Sequence, residues 1–241
     1  MSSNLLTLSD IHTHIGAYHI LHGVDLAVAQ GQLTMLLGRN GAGKTTTLRT
    51  IMGLWHASQG RVTFGQSDIT DLSTPEIASL NIAYVPENMG IFSDLTVKEN
   101  MLLAARQAKR VSQMDEARLT WIFSLFPAVE KFWNHPAGKL SGGQKQMLAV
   151  ARAIVEPRDL LIVDEPSKGL APAIINNMID AFAQLKATGT TILLVEQNIN
   201  FAKRLGDHVA VMDNGRVVHA GSMQALAEDE KLQQSLLGLA I

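Results

Sequence analysis

The sequence predicts an α/β fold with a mostly parallel sheet core, an N-terminal antiparallel β layer and an inserted helical subdomain. Three observations carry that prediction. First, short runs such as "LLIV" at 160–163 and "ILLV" at 192–195 are wholly apolar, as strands covered on both faces must be. Second, helical patterns alternate with these runs. Third, the stretch from about 88 to 157 holds no strand candidate and interrupts the alternation. Residues 1–241 thus read as a single domain, with a core from about 1–87 and 158–241 and helices between.

The elements follow in order. The first 35 or so residues alternate like strands, in "NLLTLSDIH" and "VDLAVA", and lead into "QLTMLLG". After Gly43, "KTTTLRTIMGL" reads as a helix. "GRVTFG" is a strand ending at Gly65, and "IAYVPE" a buried strand that stops at Pro86. Thr96 and Glu99 form a capping box that opens a helix through about residue 109. Residues 114–126 read as helix, with Trp121, Phe123 and Phe126 as core contacts. The helix after "LSGG" places Met147, Val150, Ala151, Ile154 and Val155 on one face. "LLIVDEP" is an apolar strand, 171–187 an amphipathic helix and "TTILLVE" another strand. "VAVMDNGRVVHAG" is a hairpin turning at Asn214-Gly215, and the stretch from Ser222 is helical. No repeat, low-complexity segment or flexible linker stands out.

Composition narrows the function. Of 241 residues, 46% are hydrophobic and 17% charged, which suits a globular chain. A net charge of −2 without a basic run argues against nucleic acid as a partner. The absence of cysteine removes disulfides and thiolate metal sites. The start lacks the basic and apolar regions of a signal peptide, so none is expected. No apolar run is long enough to span a bilayer, so work at a membrane would require other chains to cross it.

"LLGRNGAGKTT" runs from strand through glycine loop to helix, with the P-loop spacing of Gly38, Gly43, Lys44 and Thr45. Gly38, Asn40, Gly41, Ala42 and Gly43 turn backbone N–H groups onto phosphates, continued by Lys44, Thr45 and Thr46. Lys44 would reach the β- and γ-phosphates, and Thr45 would offer a hydroxyl to Mg²⁺. "LLIVDEP" ends in Asp164 and Glu165, at the strand edge where such sheets bind ligands. Asp164 would hold Mg²⁺, while Glu165 would orient or deprotonate the attacking water.

"LSGGQKQM" is the third motif. Ser141 and Gln144 form a capping box, yet the first two helical positions are Gly142 and Gly143. Each glycine costs a helix about 1 kcal/mol relative to alanine. Two of them make sense where an anion must approach the bare backbone of a helix N-terminus. A GTPase would usually show an Asn-Lys-x-Asp element, absent here, and a small-molecule kinase would not need the Ser-Gly-Gly helix.

With "GRNGAGKTT", "LSGGQKQ" and "LLIVDEP" in that order, the chain resembles ABC-type ATPase subunits with a P-loop NTPase fold along essentially its whole length. "YVPEN", "PSKGLAP" and "LLVEQN" resemble the ATP-binding subunits of branched-chain amino acid importers. The resemblance implies an ATPase with ATP and Mg²⁺ as cofactors, powering uptake of branched-chain or other hydrophobic amino acids. Another small solute such as urea or an amide, a soluble non-transport ATPase and a non-hydrolysing regulatory subunit are the alternatives. It also implies a homodimer, or a heterodimer with a similar subunit, in which the Ser141–Gln144 cradle of one chain grips the nucleotide on the P-loop of the other. Two transmembrane permease subunits and, indirectly, an extracellular or periplasmic solute-binding protein complete the implied assembly. The chain would sit peripherally on the cytoplasmic face of a bacterial membrane.

Several residues depart from the usual family pattern. Glu87 stands where a Mg²⁺- and water-sensing glutamine is usual, and so joins the metal and catalytic candidates. Gln197 replaces the usual switch histidine; it cannot carry a positive charge but can hydrogen-bond the γ-phosphate. The adenine-stacking position is Ile15, with Tyr18 nearby. Lys168 and Leu170 lie in a loop that usually reads Ser-Ala-Leu-Asp. Phe92 and Leu95 occupy the region that grips a helix of the membrane subunit in the family. His12 and His14 would share a strand face, but no third ligand accompanies them, and they read as surface histidines.

Overall fold

A computed structural model describes residues 3–238, which form two sheets. The hairpin β1 (Asn4–Ile15) and β2 (Tyr18–Ala29) joins β4 (Ala57–Phe64) and the short β5 (Ser67–Asp68) in an antiparallel layer ordered β2-β1-β4-β5. The second sheet contains β3 (Leu33–Gly38), β6 (Ile82–Val85), β7 (Leu160–Asp164), β8 (Thr191–Glu196), β9 (His208–Asp213) and β10 (Arg216–Ser222). Its order is β10-β9-β3-β8-β7-β6, parallel except for the terminal β9–β10 hairpin. The Asn214-Gly215 turn has φ of 46° and 72°, as a two-residue hairpin turn requires.

Side-chain alternation explains why the central strands are wholly apolar. Leu161 and Val163 of β7 and Ile192 and Leu194 of β8 enter a core beneath the helices. Leu160 and Ile162, with Leu193 and Val195, enter a second core beneath the antiparallel layer. Both faces are therefore covered.

The helices are α1 (Lys44–Ile51), α2 (Thr74–Ser79), α3 (Val97–Ala104), α4 (Glu116–Leu125), α5 (Pro127–Lys131), α6 (Gly142–Ala153), α7 (Pro172–Ala187), α8 (Ile199–Leu205), α9 (Met223–Glu228) and α10 (Glu230–Leu237). Capping boxes start α2 at Ser73/Glu76, α3 at Thr96/Glu99 and α6 at Ser141/Gln144. Between β6 and β7 there are helices and turns, with only the isolated bridge Thr96–Pro136.

Some boundaries differ from the sequence expectation. The first hairpin is longer, with β1 reaching Ile15 and β2 starting at Tyr18. α3 ends at Ala104, not near 109, because Ala105 turns to extended backbone and the "RQAKR" that follows offers no continuous apolar face. α4 starts at Glu116, capped by Asp115, and ends before Pro127, which disfavours helix at Phe126. Ile122, Leu125 and Phe126 form its core contacts, while Trp121 and Phe123 pack half-buried on the rim. α6 stops at Ala153, so Ile154 and Val155 are buried just beyond it. The helical C-terminus is split into α9 and α10.

Candidate functional site

Strand order assembles the site. β3, β8, β7 and β6 lie side by side and parallel, so their C-terminal ends open along one sheet edge. Across that edge they lead into the Gly38–Gly43 loop, Gln197, the Asp164–Glu165 pair and Glu87. Residues scattered over more than 150 positions thereby become neighbours.

The glycine loop is built by close packing below and open space above. Gly38 has φ 152°, and a Cβ there would lie 2.4 Å from the Met212 carbonyl oxygen. Gly43, at φ 104°, heads α1. Asn40 and Gly41 are exposed, and a Cβ on Gly41 would meet nothing within 4 Å, which leaves the backbone open to a ligand. Ala42 is buried, and Thr45 and Thr46 are half-buried in the first turn of α1. The buried Lys44 ammonium donates to the carbonyls of Gly38 at 2.8 Å and Arg39 at 3.1 Å.

Glu165 is the hub of a charged network. Its backbone has φ 47°, a left-handed conformation that is costly for a non-glycine residue. Its Oε1 lies 3.3 Å from Lys44 Nζ and accepts from Gln197 Nε2 at 2.7 Å. Gln197 also donates to Asn40 Oδ1 at 2.8 Å, spanning from the glycine loop to the carboxylate. Glu87 Oε1 accepts from Lys168 Nζ at 2.5 Å, and the same ammonium lies 3.5 Å from Glu165 Oε2. The charge and hydrogen bond of Glu87, with help from Glu165, hold the Lys168 ammonium above the usual lysine range.

Asp164 differs from its neighbour. It is fully buried, and among the described residues neither carboxylate oxygen has a well-formed hydrogen bond, although the Thr45 hydroxyl stands close by. Burial pushes its carboxyl up to about 6, against the pull of the Thr45 hydroxyl and Lys44, and the charges of Glu165 and Glu87 add to the rise. A buried carboxylate with orphaned oxygens near a hydroxyl is a hard-oxygen donor set of the type Mg²⁺ takes. Thr45 and Glu87 both act on Asp164, and the three are oxygen donors of the kind that would hold such an ion.

The Ser-Gly-Gly cradle stands apart. Gln144 N donates to Ser141 Oγ at 3.4 Å, and Ser141 N donates to Gln144 Oε1 at 2.9 Å. Ser141 and Gly142 are exposed, and a Cβ on Gly142 would meet nothing within 4 Å. Gly143 is more confined, since a Cβ there would lie 2.8 Å from Ile174 Cγ2. Among the described residues, no side-chain hydrogen bond or ion pair joins residues 141–144 to the glycine loop.

Ile15 and Tyr18 face each other across the β1–β2 turn, with Tyr18 75% exposed. His12 and His14 both stack on His19, and no group of three or more His, Cys, Asp or Glu among the described residues is arranged to hold a metal by itself. Phe92 is exposed beneath the Arg152 guanidinium, whereas Leu95 is half-buried. A separate cavity of about 810 Å³ is lined by Arg49, Trp55, Tyr84 and Glu87 among others. Among the described residues, the buried Trp55 Nε1 has no hydrogen-bond partner, and the Tyr84 hydroxyl has none of good geometry, with Arg49 nearby.

Two contributions escaped the sequence reading. Glu196 is buried and accepts from the backbone N–H groups of Ser167 at 2.9 Å and Gln197 at 3.2 Å. It ties the loops after β7 and β8 together, and its one signal was a carboxylate ending an apolar strand. Lys168 was noted only as a departure, and its two carboxylate partners depend on strand order.

The ABC transporter family profile matches residues 21–168. The chain is 37% identical over 237 residues to the high-affinity branched-chain amino acid transport ATP-binding protein BraG of Pseudomonas aeruginosa, covering 97% of this chain and 100% of that one. It is 36% identical to a probable branched-chain amino acid transport ATP-binding protein, LivF, of Archaeoglobus fulgidus, over 92% of this chain and 93% of the other. Among solved structures it is similar to an ATP-binding cassette of an ABC transporter in its ADP conformation. That likeness has a TM-score of 0.81 and 26% identity, over 99% of this chain and 100% of that one.

Proposed function

Because the chain belongs to the ABC transporter family as an ATP-binding ATPase subunit, we propose that it powers an importer of branched-chain or other hydrophobic amino acids. The observation that carries the reading is the network joining Lys44, Glu165, Gln197 and Asn40 across three loops of one sheet edge. The cargo rests on likeness to the BraG and LivF proteins.

In this reading the backbone of Gly38–Gly43 and the Lys44 ammonium hold the β- and γ-phosphates, and Thr46 completes the first turn of the cradle. Thr45, Asp164 and Glu87 would hold Mg²⁺, which when bound neutralises charge on the phosphate oxygens. Glu165 takes the proton of the attacking water. Gln197 orients that carboxylate through its amide N–H and can donate to the γ-phosphate.

The helix tip at Ser141, Gly142, Gly143 and Gln144 serves the nucleotide of a second subunit, either another copy or a similar chain. Its exposure and its open space support this, as does the backbone-donor chemistry of a helix N-terminus. ATP then bridges two subunits, and hydrolysis removes the bridge. Residues 88–157 act as the helical part of one domain. Exposed Phe92 and the cavity lined by Trp55, Tyr84 and Glu87 receive one of two permease subunits, with a solute-binding protein acting further out. No helix among the described residues is long and apolar enough to cross a membrane, and the chain associates with one peripherally, on the cytoplasmic face.

The test is Glu165→Gln in the assembled transporter. Nucleotide binding and subunit pairing persist while phosphate release falls about 10²-fold or more. Phosphate release at the wild-type rate would remove Glu165 from its role.

A further inference from the structure

The site contains a second cation that the reading above does not use. Lys168 is 54% exposed, yet its ammonium is shared between Glu87 of the loop after β6 and Glu165 of the loop after β7. Its own backbone N–H returns to the Glu165 carbonyl at 3.2 Å, so a tight turn fixes the root of the side chain. Lys44 serves the opposite oxygen of Glu165. Two ammonium groups thus stand among three carboxyls, those of Glu87, Asp164 and Glu165.

We propose that Lys168 is a positioning residue that competes with the nucleotide's Mg²⁺ for Glu87, so that metal binding at that carboxylate weakens the Lys168–Glu87 pair. The inference rests on the nucleotide-site reading and deepens it. The physical ground is simple. Glu87 Oε1 accepts from the ammonium at 2.5 Å, so a metal drawn to this carboxylate meets a cation that already neutralises part of its charge. Releasing Lys168 also frees the loop after β6 from the loop after β7, which makes metal arrival visible to the helices that follow Glu87. The pair is largely exposed, so the fold does not depend on it.

A change of charge alone can test this. Binding of the non-hydrolysable analogue AMP-PNP is measured by calorimetry in EDTA and in Mg²⁺, and the ratio of the two Kd values is the readout. Lys168→Met removes the competitor and one positive charge. Binding in Mg²⁺ tightens, binding in EDTA does not, and the ratio rises by up to about fivefold, the upper scale of an exposed ion pair. Lys168→Arg keeps the wild-type ratio. In a Glu87→Gln background, Lys168→Met adds little further change.

An unchanged ratio in Lys168→Met, with binding weakened equally in both buffers, would mean that Lys168 simply grips phosphate, and overturns the competition. A ratio in Lys168→Arg that matches Lys168→Met overturns it as well. Failure of the wild-type protein to bind AMP-PNP in either buffer overturns the nucleotide reading itself, and the competition with it.

Discussion

Asp164→Asn isolates the cost of the buried carboxylate. In the folded chain this group keeps its proton up to about 6, against an ordinary 3.8, mainly because burial removes its hydration. A raised carboxyl favours the folded state fully below its unfolded pKa, and that contribution is lost as pH rises through about 6. At roughly 1.4 kcal/mol per pH unit, ionised Asp164 costs the fold about 3 kcal/mol at pH 7.5 and about half a kcal/mol at pH 4. Asparagine cannot ionise, and the cost of its own unpartnered amide is the same at both pH values. The stability difference, variant minus wild type, therefore becomes more favourable by about 2 kcal/mol between pH 4 and pH 7.5. Urea unfolding at the two pH values measures it. A difference that stays flat with pH would refute the assignment of a strained, metal-ready carboxylate at the end of β7.

Other changes separate binding, pairing and folding. Lys44→Ala removes the phosphate anchor and abolishes nucleotide binding, read by equilibrium dialysis with labelled ATP. Gly142→Ala meets open space within its own chain and adds at most about 1 kcal/mol to helix stability, yet it blocks ATP-dependent pairing in Glu165→Gln material. Light scattering reads that loss, and pairing at wild-type strength would show that no phosphate approaches this backbone. Gly215→Ala has no such room: at φ 72° its Cβ would sit 2.1 Å from the Ile20 carbonyl oxygen. It lowers stability by about 1–3 kcal/mol, measured by thermal unfolding.

The parts legible in the sequence were those written in local pattern. The apolar runs of β7 and β8 betray two-sided burial because every residue faces one core or the other. Thr96/Glu99 and Ser141/Gln144 announce helix starts within four residues. Ser73 and Glu76 carried the same signal for α2, and Asn198 capped α8, but neither short helix has enough apolar period to stand out. Trp121 and Phe123 drew attention by size, whereas α4 turns the smaller Ile122 inward. What no local pattern could show is the placing of β8 between β3 and β7. That order makes Gln197 a bridge between Asn40 and Glu165, and with β6 beside β7 it brings Lys168 to Glu87, 81 positions away.

The same strand order constrains how the protein can be made. β3, which carries the glycine loop, pairs only with β8 and β9, and Gly215 N donates to the Ala42 carbonyl at 3.0 Å. During synthesis, a chain that has emerged only as far as α7 holds the whole glycine-loop motif but neither strand that flanks β3. Its backbone edges lie open to other unfinished chains until β8 and β9 have left the ribosome. The glycine loop therefore gains the strands that flank it only after the helical segment and β7 have been made.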